Sequence, residues 1–179
     1  MNRRLFVCLA VALLLVTAGA SAQMPYAGMQ ARSVKALSEQ QVSDLNTGRG
    51  MGLALAAELN GYPGPSHVLE LGDKLELSSD QWTWVQGLFD SMKAEAQPLG
   101  SKLIALETDL DKLFASRSIT PDSLKTSTTA IAGVQGELRE THLKYHLSTA
   151  AILTPAQMLA YAELRGYGSD APTHQHRHK

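Results

Sequence analysis

The sequence predicts an all-α fold: one long antiparallel helical hairpin with shorter helices flanking it. Three observations carry this. Val85 to Leu113 carries an apolar seam, and Leu124 to Ile152 a mainly apolar one, at steps that almost all alternate between three and four, the period of a helical seam. Only the short segment Ser116 to Thr120 joins them, and a short loop between two long amphipathic helices makes them antiparallel neighbours. A Leu, then Ser or Thr, then Gln three positions on recurs at Leu37-Ser38-Glu39-Gln40-Gln41, Leu77-Ser78-Ser79-Asp80-Gln81 and Leu153-Thr154-Pro155-Ala156-Gln157. Each is a helix start: the hydroxyl accepts a helix N–H, and the Gln side chain reaches back to the cap's own N–H.

The 179 residues divide into segments of different character. Met1-Asn2-Arg3-Arg4 is basic, Leu5 to Val16 is apolar, and Ala20-Ser21-Ala22 supplies the small residues of a cleavage site. The apolar run is short of the about 20 residues that span a bilayer. Residues 1–22 therefore read as a secretory signal peptide, with the mature chain starting at Gln23. Cys8 leaves with it, which excludes disulfides, a thiolate nucleophile and a thiolate metal site. Any metal site must then use His, Asp, Glu or Met. The formal charge of −1 becomes −3, because Arg3 and Arg4 leave and no acidic residue does. That balance is no nucleic-acid footprint. Residues 23–65 read as an N-terminal arm with short helices, 66–168 as the helical domain and 169–179 as a His-rich disordered tail.

In chain order, Ser38 and Gln41 start a helix over about 39–47, and Gly48, Gly50 and Gly52 end it as a bend or a close-packing point. No strand precedes these glycines and no Lys-Ser/Thr follows, so they are not a nucleotide loop. Leu53 to Leu59 is helical again, and Gly61-Tyr62-Pro63-Gly64-Pro65 is the strongest break. The stretch 68–77, VLELGDKLEL, fits a hairpin or a short helix opening at Ser66; helix is preferred, because everything after it is helical. Trp82 and Trp84 are assigned to packing. The seam Val85, Leu88, Met92, Ala96, Leu99, Leu103, Leu106, Leu110, Leu113 implies a helix of about 35 residues, with a bend near Pro98 where an i−4 hydrogen bond is lost. Thr120 and Pro121 open the second long helix, with the seam Leu124, Ser127, Ile131, Val134, Leu138, Thr141, Tyr145, Ser148, Ile152. A last helix runs from Pro155 to about Arg165.

The chemistry-bearing feature is His142 with His146. At i and i+4 on a helix they point the same way and can share a metal ion, and neutral imidazole suits Zn, Ni, Co and Cu(II). With Leu138 at the centre of the buried face, His142 lies about 40° off it and His146 about 80° off, which puts the first beside the seam and the second at its rim. Leu143 and Leu147 fall on the opposite side, as a second contact surface or under the N-terminal segment. His174, His176 and His178 in the tail form a loose metal-collecting tract or a solvated terminus. No Ser, His and acid arrangement and no HExxH is present, so no enzyme is expected.

The repeated Leu-Ser/Thr-x-x-Gln starts, the hairpin and the signal peptide resemble the Spy/CpxP family, also called the LTxxQ family, over about Ser66 to Tyr167. The resemblance implies a periplasmic, non-catalytic envelope-stress protein that dimerises into a curved cradle. It acts in heavy-metal resistance or sensing, or as an ATP-independent chaperone for unfolded periplasmic clients. A chaperone cradle that holds clients by charge would be basic, whereas this chain is mildly acidic. In the nickel and cobalt sensors of the family the late helix supplies a His and, four residues on, a Met; His142 matches the first position and His146 stands in place of the second. The early ligands are assigned by position to His67 and Glu70. The resemblance implies a divalent transition metal (Zn, Ni, Co or Cu), no organic cofactor, a homodimer, an envelope stress sensor as a further partner, no nucleic acid, and no membrane segment after cleavage.

Overall fold

The computed structural model describes residues 26–167. The signal-peptide residues and the tail histidines His174, His176 and His178 lie outside the described residues. Six α-helices follow one another, and no strand occurs among the described residues: α1 Glu39–Thr47, α2 Leu55–Glu58, α3 Pro65–Glu70, α4 Ser79–Ala115, α5 Pro121–Ile152 and α6 Pro155–Leu164. The long pair α4 and α5 pack against each other as the expected hairpin. None of these helices is long and apolar enough to cross a membrane.

Helix starts follow the sequence closely because they depend on local chemistry. Ser38 Oγ accepts from Gln41 N at 3.1 Å while Gln41 Oε1 accepts from Ser38 N at 2.9 Å, and the same reciprocal pair opens α4 and α6. The ambiguous stretch 68–77 contains the end of a short helix rather than a hairpin. Pro65 takes the first position of α3, one residue before the expected Ser66. The helix stops at Glu70 and the chain turns through Glu76, at φ 50°, into the Ser78 cap. The turn passes close under Trp82: a Cβ on Gly72 would lie 2.3 Å from its ring. Trp82 packs as expected. Trp84 does not and is exposed, because Val85, Leu88 and Met92 are the positions α4 turns inward.

Two of the helix starts are joined to each other. Gln81 Nε2 donates to Gln157 Oε1 at 2.8 Å, and Gln157 Nε2 donates to Gln81 Oε1 at 3.0 Å. Each amide also donates to a main-chain carbonyl, Gln81 to Ile152 O and Gln157 to Leu75 O, both at 3.1 Å. Each Oε1 accepts its own cap's N–H as well. This clasp leaves neither half-buried amide with a spare donor. It fixes the start of α4 against the α5–α6 junction.

The apolar core falls into two clusters. Leu45, Ala96, Leu103, Ile131, Val134 and Leu138 fill the middle of the hairpin, where α1 crosses α4. Val68, Leu75, Val85, Leu153 and Tyr161 fill the end held by the clasp. Two seam positions differ from the sequence reading. Leu124 is exposed because it lies near the hairpin's connecting end, beyond the part of the hairpin that α1 covers. Ser148 is exposed and Thr149 is buried instead, since a 3.5-residue repeat drifts against a 3.6-residue helix and the inward line moves one position. Pro98 sits on the exposed side of α4, and the helix continues through it to Ala115.

The α1–α4 crossing requires Gly100: a Cβ there would lie 2.3 Å from Leu45 O. Gly133, in the middle of α5, has open space around it. Gly100→Ala is therefore expected to destabilise by roughly 1–3 kcal/mol through forced separation of the helices. Gly133→Ala is expected to stabilise by about 0.5–1 kcal/mol, because it removes only backbone freedom of the unfolded chain. Urea unfolding followed by circular dichroism distinguishes them; equal effects of the two substitutions would show that the crossing is not tight.

Candidate metal-binding cleft

The chain between α1 and α3 wraps over the late part of α5, and that wrap makes the site. Gly64 allows the closest approach, whereas the contact at Gly50 is an ordinary one. A Cβ on Gly50 would come to 3.4 Å from His142 Nδ1, and one on Gly64 to 2.7 Å from His146 Nε2. As a result both histidines are buried, at 2% and 7% exposure. The expectation that His146 sits at the seam's rim is thereby corrected: helix angles alone do not include the Tyr62 to Pro65 turn laid over it. Leu147, on the far side of α5, is 58% exposed, and Leu143 is half-buried.

At the centre of the wrap is Glu58, the last residue of α2 and only 4% exposed. Its carboxylate accepts from Gly64 N at 3.2 Å, from Tyr167 Oη at 3.3 Å and from Tyr161 Oη, and it faces His67 Nδ1 at 3.2 Å. His146 Nδ1 lies 3.7 Å and Arg165 Nε 3.6 Å away. Burial by itself raises a carboxyl's pKa. Here the hydrogen bonds from His67, Tyr161 and Gly64, with the charge of His67, outweigh it and hold Glu58 at about 2. Burial, then the hydrogen bond to Glu58 and its charge, push the Tyr161 hydroxyl up, so it remains a donor.

This network sets the histidine tautomers. A carboxylate and a carbonyl only accept hydrogen bonds. His67 Nδ1 faces Glu58, and His146 Nδ1 faces Tyr62 O at 2.6 Å, so in both rings Nδ1 carries the proton. In the neutral ring the lone pair then falls on Nε2, as in histidines oriented by a carboxylate to bind a metal. The Nε2 of His146 is covered by Gly64, whereas the His67 side chain is about one third exposed, at 37%. His142 is different again: its Nε2 is buried and has no hydrogen-bond partner. Burial first, and then the neighbouring His146, lower its pKa, which favours the neutral ring.

The structure brings all four sequence-predicted residues, His67, Glu70, His142 and His146, to the lining of one cleft of about 980 Å³. Glu70 is exposed there and accepts from Ser66 Oγ at 3.3 Å. Their donor atoms do not converge on one point: among the described residues, no three His, Asp or Glu side chains are grouped to hold an ion. Glu58, Met51 and Met92 line the same cleft and were not singled out from sequence as site residues. A lone carboxylate inside the apolar run Leu53 to Leu59 was the available signal for Glu58. No protein-family model, curated protein or solved structure compared with the chain matches it.

With metal chelated, acidification is expected to remove stability in two stages. Below the ordinary histidine value of 6.5 the unfolded chain takes up a proton that buried His142 refuses, so stability falls with pH. Below 4.5 the same holds for Glu58, whose folded value is about 2, and on the order of 3 kcal/mol is lost before both states are protonated. Urea unfolding across this pH range measures it. Glu58→Gln should flatten the second stage and leave the first; an unchanged acid limb would contradict the role given to Glu58.

Proposed function

We propose that this is an exported, non-catalytic metal-binding protein of the periplasm, of the Spy/CpxP kind, serving heavy-metal resistance or sensing. One observation supports this above the others: a buried, neutral imidazole, His142, lines the cleft with its Nε2 unpartnered. A buried polar atom without a partner costs free energy, and native proteins keep few of them. A cation would remove that cost. His67 supplies a second oriented imidazole on the same cleft, and Glu58 sets its tautomer. His146 acts mainly by positioning, since its ring joins α5 to the Tyr62 turn. A divalent Zn, Ni, Co or Cu ion would take imidazole nitrogen here, with Glu70 as an exposed oxygen donor.

Titration calorimetry with Zn(II) and Ni(II) tests this on protein whose His174, His176 and His178 are replaced by Ala. One cleft site is expected, weakened at least about tenfold by His142→Ala. Identical isotherms for the two proteins would remove the cleft from the account.

Client binding is a second reading, supported by apolar exposure. Leu55 on α2, Leu59 directly after it and Leu147 on α5, a helix in contact with α2, are 54%, 59% and 58% exposed. On this reading the metal-free protein suppresses aggregation of an unfolded client at near-stoichiometric ratio, and Leu59→Ser with Leu147→Ser reduces the protection. Absence of protection by the unsubstituted protein would exclude it.

A further inference from the structure

The cleft holds two kinds of donor, and they are not equally free. The oxygen donors are engaged: Glu58 holds Tyr161, Tyr167, Gly64 and His67, and Glu70 holds Ser66. His146 is tied to Tyr62 O and covered by Gly64. Three further lining residues can donate to a metal and make no side-chain hydrogen bond: His142, whose buried Nε2 is unpartnered, Met92, and Met51, which is 41% exposed. Met92 lies on the inward line of α4 and is 7% exposed.

Met51 is the unusual member. It sits between Gly50 and Gly52 with φ 44°, in the left-handed region that residues other than glycine seldom occupy. A side chain held at such a backbone angle is disfavoured, and such strain gathers at functional sites. The glycine before it is the one that lies against the His142 ring. The strained residue and the unpartnered imidazole are therefore brought to the same cleft by one loop.

We propose that Met51, Met92 and His142 form a site for a soft monovalent cation, of the Cu(I) or Ag(I) class. Thioether sulfur selects such ions over Zn(II) and Ni(II). A d¹⁰ monovalent ion is satisfied by two or three ligands, so it does not need the cluster of three or more His, Asp and Glu side chains that the described residues lack. The mature chain has no cysteine, so methionine is its only soft donor. The inference rests on the cleft being a metal site and narrows the class of ion.

Ag(I) alone is the probe, in competition with a chromogenic chelator, using protein with the three tail histidines replaced by Ala. Met51→Leu with Met92→Leu keeps both side-chain volumes and the fold, which circular dichroism verifies. The double variant is expected to bind Ag(I) at least about tenfold more weakly while Zn(II) affinity stays the same. The ε-methyl NMR signals of Met51 and Met92 are expected to shift when Ag(I) is added. Ag(I) binding unaffected by the double substitution, or no Ag(I) binding beside Zn(II) binding that depends on His142, overturns the soft-ion site and leaves the cleft reading intact. Binding of neither ion overturns both.

Discussion

The carboxylate of Glu58 is the constraint on which the functional end of the molecule depends. An ion at 4% exposure is strongly disfavoured unless its lone pairs are met by donors. Here the donors come from distant parts of the chain: Gly64 and His67 before the hairpin, Tyr161 and Tyr167 after it. One side chain therefore holds α2, α3, α6 and the residues that follow α6 in a single arrangement. Because Glu58 accepts from His67, it also decides which nitrogen of that ring is left to bind anything else. Stability and the tautomer of His67 are coupled through the same group.

The hairpin does different work along its length. At one end the Gln81–Gln157 clasp, the Val68–Tyr161 cluster and the Glu58 network hold several helices together. In the middle, α1 lies across α4 at Gly100 and closes the second cluster. Towards the connection at Ser116 to Thr120 the hairpin is less covered: Lys35 reaches Asp111 on α4 at 3.1 Å, but Phe114 and Leu124 beyond it are exposed. Glu95 reaches from α4 to Lys144 and Tyr145 on α5, and the bond from Lys144 and then that from Tyr145 lower its pKa. The cleft is built at the well-supported end, where ligand positions can be held.

Features set by local chemistry were legible in the sequence. The Ser38, Ser78 and Thr154 starts, the hairpin and the breaks at Gly48 and Gly61 depend on residues within a turn of one another, and they stand where the pattern put them. Features set by tertiary approach were not legible. That Gln81 and Gln157 clasp each other, that Gly64 covers His146 and that Glu58 faces His67 depend on which distant segments meet. A heptad count also could not tell Ser148 from Thr149, one step apart on a drifting face. His142 was found because i, i+4 histidines are visible in sequence. Met51 was not, because what marks it is a backbone angle.

On the proposed function, the wrap of residues 50–64 over α5 makes a cation site whose fixed point is His142. Anomalous diffraction from crystals of the full chain grown with Zn(II) or Ag(I) measures this most directly. The expected result is an anomalous peak in the cleft at about 2.0–2.4 Å from a ring nitrogen of His142. Peaks confined to His174, His176 and His178, with the cleft empty in metal-saturated crystals, would contradict it.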